Sequence, residues 1–297
     1  MHSTCYDLCP MFRRMKLQGR IAFAALTFLV ACGNPPPPVS PAADAAPATA
    51  PVPTKSAARP STDATPTVPD YVRAAVDAPD RSAADRALDA GRKPELLLAF
   101  FGIRPGMRVA ELGAGGGYTS ELLARVVGST GKVYAQNSAF ILERFANGPL
   151  TERLAKPELV NLANIVRSDR PFDEPLPPEV KDLDAVLNVL FYHDTVWQGA
   201  DREKMNRAVF AALKSGGVYG IVDHSALPGS GLTAVESVHR IEEKVLRQEI
   251  EHAGFRLVSE ASFLKNPSDT RDWSTSPRVV GERRGTSDRF VLKFQKP

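Results

Sequence analysis

Cysteine, net charge and long apolar runs are all scarce in this sequence. Its 297 residues include three cysteines, Cys5, Cys9 and Cys32, and residues 33–297 contain none. The greater part of the chain therefore has no disulfide, no cysteine nucleophile and no thiolate metal site. The formal net charge of +3 is too small for the bulk positive field of a typical nucleic-acid-binding protein, so we expect no nucleic-acid partner.

The longest apolar run lies near the start of the chain and has the pattern of an export signal. Residues 21–31 are uncharged and almost wholly apolar, and they are too few to span a bilayer as a helix. They follow a basic cluster and end in the sequence LVAC at Cys32, which resembles the lipobox of a bacterial lipoprotein. The resemblance implies cleavage before Cys32, lipidation of Cys32 and a membrane anchor that faces the periplasm.

This leader also accounts for the net charge. It carries four of the 37 basic residues and one of the 34 acidic ones, so the cleaved chain is neutral, with 33 of each. Translation could begin at Met1, Met11 or Met15. A start at Met15 would remove Arg13-Arg14, the pair that hints at twin-arginine export rather than the general secretory route.

Composition divides the remainder into a tether and a folded domain. Residues 33–69 contain eleven prolines, many alanines and no aromatic residue. Such a segment cannot bury enough apolar surface to fold. We therefore assign residues 1–31 to the signal peptide, 32–69 to a disordered tether that begins at the lipidated cysteine, and 70–297 to the folded domain.

Within residues 70–297, short apolar runs typical of strands alternate with helical patterns. We expect helices within 85–103, 118–128, 138–155, 201–214 and 235–253, and seven strands at 107–112, 132–136, 164–169, 184–191, 218–224, 255–263 and 289–295. This alternation predicts an α/β fold with a mostly parallel, doubly wound sheet that helices cover on both faces. The loops after the parallel strands would share one rim, where ligands bind in such sheets.

A glycine-rich turn follows the first of these strands, in the sequence VAELGAGGGYTS at 109–120. Glycines let the backbone turn tightly and approach a ligand. The dinucleotide fingerprint G-x-G-x-x-G requires glycine or alanine at 118 if it begins at Gly113, or at 120 if it begins at Gly115. Tyr118 and Ser120 stand at those positions, so a nicotinamide cofactor is disfavoured.

The spacing Glu111-x-Gly113-x-Gly115-x-Gly117 resembles instead motif I of the class I methyltransferases, which use S-adenosylmethionine. The segments IRPGMRVAELGAGGG, LDAVLNVLFYHD and LKSGGVYGIVDH resemble the first, fourth and fifth strands of that family with their adjoining turns. The resemblance covers residues 92–297 and implies a Rossmann-like, seven-stranded sheet that ends in an antiparallel hairpin. It is silent on the methyl acceptor.

The resemblance also implies roles for individual residues. The backbone of the three glycines would hold the methionine part of S-adenosylmethionine, Glu111 its amino group and Asp169 the adenine amino group. The family usually places Asp or Glu at the end of the second strand, against the ribose hydroxyls. Here Gln136 and Asn137 stand at that place, and an amide oxygen accepts a hydrogen bond less strongly than a carboxylate.

Candidates for catalysis follow the fourth and fifth strands: Tyr192, His193, Asp194 and His224. His193 is our first choice as general base, because the ordinary pKa of histidine lies near neutrality; a histidine that caps the following turn is the alternative. Asp194 would orient it. These residues and Asp223 could also converge on a divalent metal, but adjacent side chains often diverge, so we expect no metal site.

Two further features lie late in the chain. His239 and Glu243 are spaced to meet on one face of the helix predicted at 235–253, and we expect a surface pair. The long polar loop at 265–288 carries Trp273 and several arginines, among them Arg271. The loop either covers an acidic substrate or is a solvated excursion.

Two functions fit these features. The first is a lipid-anchored, S-adenosylmethionine-dependent methyltransferase that acts on a small molecule. The second is an exported binding module that keeps the fold and holds a nucleoside-like ligand without catalysis. The glycine motif and the strand-end histidines favour the first. The amides at 136–137 and the export signal favour the second, because S-adenosylmethionine is made in the cytoplasm.

Overall fold

The computed structural model describes residues 65–162 and 164–297. The leader, Cys32 and almost all of the tether lie outside these residues, so the signal peptide, the lipidation and the tether remain predictions. Val68 packs in the hydrophobic core, and the first helix, α1, spans Asp70–Val76. The folded part therefore begins slightly before residue 70. No helix within the described ranges is long and apolar enough to cross a membrane.

Seven strands of the described chain form one sheet: β1 Arg108–Leu112, β2 Lys132–Asn137, β3 Ile165–Asp169, β4 Leu183–Val189, β5 Leu213–His224, β6 Arg256–Ala261 and β7 Arg289–Gln295. Their order is β3-β2-β1-β4-β5-β7-β6. Strands β1 to β5 are parallel, whereas β7 runs antiparallel to both β5 and β6. The predicted doubly wound sheet with a C-terminal antiparallel hairpin is confirmed.

Helices cover both faces of this sheet. They are α2 Ala83–Arg92, α3 Pro94–Phe101, α4 Tyr118–Val127, α5 Ala139–Ile141, α6 Asn147–Leu154, α7 Pro157–Leu162, α8 Tyr192–Trp197, α9 Arg202–Ala212, α10 Thr233–Val238 and α11 Glu243–His252, with a π-helical turn at Leu142–Ala146. Successive residues of β1 alternate between the two hydrophobic cores, with Val109 in one and Ala110 and Leu112 in the other. This alternation follows from the period of two of a strand.

Some boundaries differ from those predicted. The single helix expected at 235–253 is wrong, because α10 ends at Val238 and His239 then takes a left-handed conformation, with φ of 50°, before α11 begins at Glu243. Helix α9 ends at Ala212, so β5 begins five residues before the predicted strand at 218. Strand β4 ends at Val189, and the expected loop after it is the short helix α8.

The register of the sheet places the candidate residues along one edge. Leu112 at the end of β1 pairs with Gln136 and Asn188, and Asn137 at the end of β2 pairs with Asp169. The carboxyl ends of β1 to β4 are therefore level with one another, and β5 continues the row beside β4. This confirms the predicted rim.

Candidate functional site

The glycine-rich turn joins β1 to α4 at this rim. Gly113, Gly115 and Gly117 have φ values of 67°, 55° and 84°, in the left-handed region that glycine enters without steric cost. Gly117 precedes the first residue of α4, and open space surrounds the position that a Gly115 side chain would take. The local sequence therefore specifies this turn, because other residues would be strained at all three positions.

The predicted ribose ligands bind this turn instead of facing open space. The Gln136 Oε1 atom accepts a hydrogen bond from the Gly113 N–H at 3.0 Å, and the Asn137 Oδ1 atom accepts one from the Gly115 N–H at 2.8 Å. Their amide nitrogens donate to the Arg170 and Gly115 carbonyls, at 2.7 and 3.1 Å. Both side chains are fully buried. In this arrangement they hold the turn, and the ribose contact stays a prediction.

An aromatic ring covers the same turn. A Cβ atom added to Gly113 would lie 2.3 Å from the ring of Phe191, so this ring rests directly on the glycine. Phe191 also stacks on Phe172, with ring centroids 5.4 Å apart and an interplanar angle of 29°. The two rings belong to the segments that follow β4 and β3, and Phe172 supports the ring that covers Gly113.

Glu111 faces inward. It is 3% exposed, and its Oε2 atom accepts a hydrogen bond from the Ser120 hydroxyl at 2.5 Å. Burial raises the pKa of Glu111 to about 7, although the Ser120 and Thr119 hydroxyls favour its charged form. In this arrangement the Glu111 carboxylate is therefore not accessible to the amino group of a cofactor, which is the contact that the resemblance implies.

Asp169 borders open space. It lies at the end of β3, and its carboxylate forms a half-exposed ion pair with Arg167 at 2.9 Å. Both residues line a cleft of about 500 Å³ together with the segment from Leu142 to Pro149. Among the predicted cofactor residues, Asp169 and Gly115 thus have free space beside them for a ligand.

A second group of polar side chains lies at the ends of β4 and β5. Asp223, fully buried near the end of β5, accepts hydrogen bonds from the backbone N–H groups of His193 and His224 at 2.8 and 2.7 Å. Its Oδ1 atom lies 2.7 Å from His193 Nδ1. Three contacts on one carboxylate thus fix the start of α8 against β5 and orient the His193 ring.

Asp194 and His239 meet the opposite side of that ring. Asp194 Oδ1 lies 3.4 Å from His193 Nε2 and 3.3 Å from His239 Nδ1, and it accepts a hydrogen bond from the Trp197 indole at 2.6 Å. The Asp194 and His239 side chains are 18% and 25% exposed, whereas that of His193 is 4% exposed. We call His193, Asp194 and His239 the histidine cluster.

The electrostatics of His193 bear on its predicted role. Burial lowers its pKa, but the carboxylates of Asp223 and Asp194 outweigh burial and raise the pKa to about 9. The ring is therefore protonated at neutral pH when no other cation is near. A protonated ring cannot remove a proton, which weighs against His193 as the general base; that role stays a prediction.

The other predicted catalytic residues lie apart from the open edge of the cluster. Tyr192 is fully buried, and its hydroxyl bonds to Glu249 and Asn206, each at 2.8 Å, so it packs in the core and does not reach the rim. His224 packs edge-on to His193, with ring centroids 5.6 Å apart, and its Nδ1 atom lies 2.7 Å from Ser287 Oγ. Burial and the positive charge of His193 keep the pKa of His224 well below its ordinary value.

The surface pair expected between His239 and Glu243 is wrong. The break between α10 and α11 turns His239 toward Asp194, and Glu243 lies 3.6 Å from Lys265 instead. The sequence has no glycine or proline between 232 and 253, so no local signal marks this break. His239 and Phe191 are among the residues of the rim that the sequence pattern did not single out as site residues.

The loop at 265–288 packs back onto the end of β5. Arg240 and Asp269 form an ion pair at 2.8 Å with both side chains fully buried, and Arg240 also donates to the backbone carbonyls of Ser225 and Trp273. Arg271 pairs with Asp288 at 2.7 Å. The loop is therefore attached to the domain at Asp269 and Asp288, and Arg271 is held by an acid of this chain.

Comparison with known proteins identifies the fold. No family model matches the chain, and no curated protein matches its sequence. The structure is similar to that of a SAM dependent methyltransferase from Aquifex aeolicus, at 17% identity and a TM-score of 0.51 over 77% of this chain and 99% of that one. It is equally similar to a candidate sarcosine dimethylglycine methyltransferase from Galdieria sulphuraria, at 17% identity and a TM-score of 0.51 over 80% and 94%. The chain has the Rossmann-like fold of the class I methyltransferases.

The fold implies S-adenosylmethionine, and the residues fit it only in part. The backbone of the turn fits, because its glycines are left-handed and Gly115 is bare. The side chains do not fit in this arrangement, because Gln136 and Asn137 are bound to the turn and the Phe191 ring lies on Gly113. The Phe191 ring thus occupies the space directly over Gly113.

Proposed function

We propose that this chain is an S-adenosylmethionine-dependent methyltransferase that acts on a small molecule. The turn of three left-handed glycines at the carboxyl end of β1 carries the proposal, since it lies where ligands bind in doubly wound sheets. When bound, S-adenosylmethionine supplies an activated methyl group. The backbone of the turn would bind it, and the partly exposed histidine cluster at the neighbouring strand ends would orient the acceptor.

Calorimetry on the purified full-length protein tests this proposal. S-adenosylmethionine and S-adenosylhomocysteine should both bind, and Phe191→Ala should bind them about tenfold more tightly, because removal of the ring increases the fraction of chains that can accept the ligand. Phe210→Ala is the matched control, since Phe210 on α9 packs against Phe255, and it should leave both affinities unchanged. No binding to the wild type or to Phe191→Ala at millimolar ligand would sink the proposal.

A second function has its own supporting observation. Gln136 and Asn137 accept hydrogen bonds from the turn, and the Phe191 ring lies on Gly113. A binding module that does not transfer a methyl group would retain these contacts. Such a module would hold a ligand at the cleft beside Asp169. It would bind adenosine while showing no affinity for S-adenosylmethionine in calorimetry, and this outcome would favour it over the methyltransferase.

We further propose that the protein is exported and lipid-anchored, on the strength of the apolar stretch 21–31 and the LVAC sequence at Cys32. The acylated cysteine would hold it to a bacterial membrane on the periplasmic side. Cys32→Ser should release the protein from the membrane fraction of expressing cells, whereas Cys9→Ser should not. Unchanged membrane retention of Cys32→Ser would refute the anchor.

A further inference from the structure

The histidine cluster has the spacing of a metal-ligand set. One possible ligand atom from each of His193, Asp194 and His239 lies within 4.8 Å of the other two. The two distances to Asp194 Oδ1, 3.4 and 3.3 Å, exceed the usual hydrogen-bond range of about 2.7–3.2 Å. They agree with the edge of a tetrahedron of ligands, about 3.4 Å for metal–ligand bonds of about 2.1 Å.

The surroundings of the cluster support the same interpretation. A metal-ligating histidine commonly donates its other ring N–H to a carboxylate, which fixes the ring. His193 does so, because its Nδ1 atom lies 2.7 Å from the fully buried Asp223. The indole of Trp197 fixes Asp194 in turn. Both outer contacts restrict the orientation of the ligand side chains.

Charge and backbone conformation are also favourable. Asp194 and Asp223 bring two carboxylates to the site, and the neighbouring guanidinium of Arg240 is paired with the buried Asp269. His239 reaches the cluster from a left-handed residue with φ of 50°, a conformation that costs energy for a residue other than glycine and that clusters at functional sites. The fold thus holds the His239 imidazole in place through an energetically unfavourable backbone conformation.

We propose that His193, Asp194 and His239 bind a divalent transition metal, of which zinc best matches the spacing. Two histidines and one carboxylate are a ligand set that such metals accept, and three protein ligands leave a fourth position free. The partial exposure of Asp194 and His239 opens that position to solvent. A water molecule or an oxygen atom of the acceptor would occupy it. The earlier reason to expect no metal, that adjacent side chains diverge, does not hold for His193 and Asp194.

Metal binding is measured without S-adenosylmethionine, so the result is independent of the methyltransferase proposal. The untagged full-length protein, with Cys5, Cys9 and Cys32 changed to Ser in every sample, is stripped with a chelator and titrated with zinc chloride in a calorimeter. We expect one zinc per chain with a Kd below about 1 μM. We also expect zinc to raise the melting temperature, since it binds the folded state alone.

Variants assign the ligands. His239→Asn should weaken zinc binding at least about 100-fold while its melting temperature without zinc stays near that of the parent, because asparagine tolerates the left-handed conformation. Asp194→Asn should act likewise, and Asp223→Asn should weaken binding about 10- to 100-fold through the orientation of His193. His252→Asn is the matched control, since His252 is exposed and lies 3.9 Å from Glu203. No zinc bound by the parent, or equal affinities of His239→Asn and His252→Asn, would overturn the proposal.

Discussion

The glycine turn and the histidine cluster lie on the same rim and differ in how their polar groups are used. In the turn, the N–H groups of Gly113 and Gly115 are taken by Gln136 and Asn137, and the Phe191 ring covers Gly113. In the cluster, Asp194 Oδ1 lies 3.4 Å from His193 Nε2 and 3.3 Å from His239 Nδ1, and the Asp194 and His239 side chains are partly exposed. This chain's own side chains therefore take the N–H groups of the turn and cover Gly113, whereas two side chains of the cluster reach solvent in part.

This difference shows that a conspicuous motif and an accessible site are separate properties. The turn carries a recognisable sequence pattern, yet its contacts are satisfied within the protein. The cluster has no such pattern, yet it brings together two histidines and an aspartate, of which Asp194 and His239 are partly exposed. Substitutions at both places test whether the cluster is rigidly built and whether the turn is held as tightly as its contacts indicate.

Replacement of Asp223 by Asn should give the largest loss of stability. The Asp223 carboxylate takes three contacts with full burial, and loss of one partner from a buried charged pair costs about 4 kcal/mol. Urea unfolding measures the effect. Asp173→Asn is the control, since this side chain is 37% exposed and its carboxylate lies 3.6 Å from Lys204, and it should cost under about 0.5 kcal/mol. Equal losses in the two variants would mean that the cluster is not rigidly held.

Glu111 should give the turn a pH-dependent stability. Its pKa is about 7 in the fold, raised by burial from 4.5. The carboxyl is protonated in both states below about pH 4.5, and between 4.5 and 7 the folded state holds the proton that the unfolded chain releases. The contribution of Glu111 to the free energy of unfolding is therefore full below 4.5 and falls by up to about 3 kcal/mol as the pH rises to 7.

The variant Glu111→Gln cannot titrate at this position and should lack that fall. Urea unfolding of both proteins at several pH values from 4 to about 7.5 measures the difference. Parallel stability curves for the two proteins would show that Glu111 is ionised in the fold or that its carboxyl is solvated.

Two alanine substitutions in the turn should differ because of Phe191. Both glycines are left-handed, which costs alanine about 1 kcal/mol. Gly115→Ala meets open space and should cost that amount, whereas Gly113→Ala would overlap the Phe191 ring and should cost about 3 kcal/mol. In a Phe191→Ala background most of the difference should disappear. If the gap between the two glycines is unchanged there, the ring is not what closes the turn.

Replacement of Gln136 by Glu should also weaken the turn. The carboxylate can still accept a hydrogen bond from Gly113 but cannot donate to the Arg170 carbonyl, and its charge would be fully buried, so we expect a cost of at least about 2 kcal/mol. Thermal unfolding near neutral pH detects this loss. Gln248→Glu, on the exposed surface of α11, should change the stability by a few tenths of a kcal/mol. A wild-type melting curve for Gln136→Glu would mean that the turn does not depend on this amide.

Much of the fold could be predicted from the sequence. All seven strands, the glycine turn and the shared rim follow from apolar periodicity and from the positions of glycine. The directions of side chains could not be predicted. Gln136 and Asn137 stand at the expected strand end, but whether an amide faces a ligand or its own backbone depends on the neighbouring loop. The break at His239 contains no glycine or proline, so the apolar pattern predicted one continuous helix where the structure has two.

The sequence by itself determined the class of fold, the left-handed turn after β1 and the neutral, cysteine-free domain, because these depend on neighbouring residues and on composition. Only the tertiary structure shows that Gln136, Asn137 and Phe191 pack against the turn and that two side chains of the histidine cluster are partly exposed. His193 meets Asp223 thirty positions away, and it meets His239 across a further break in the helix. Such contacts arise from the packing of strand ends and loops in three dimensions, which local sequence patterns do not specify.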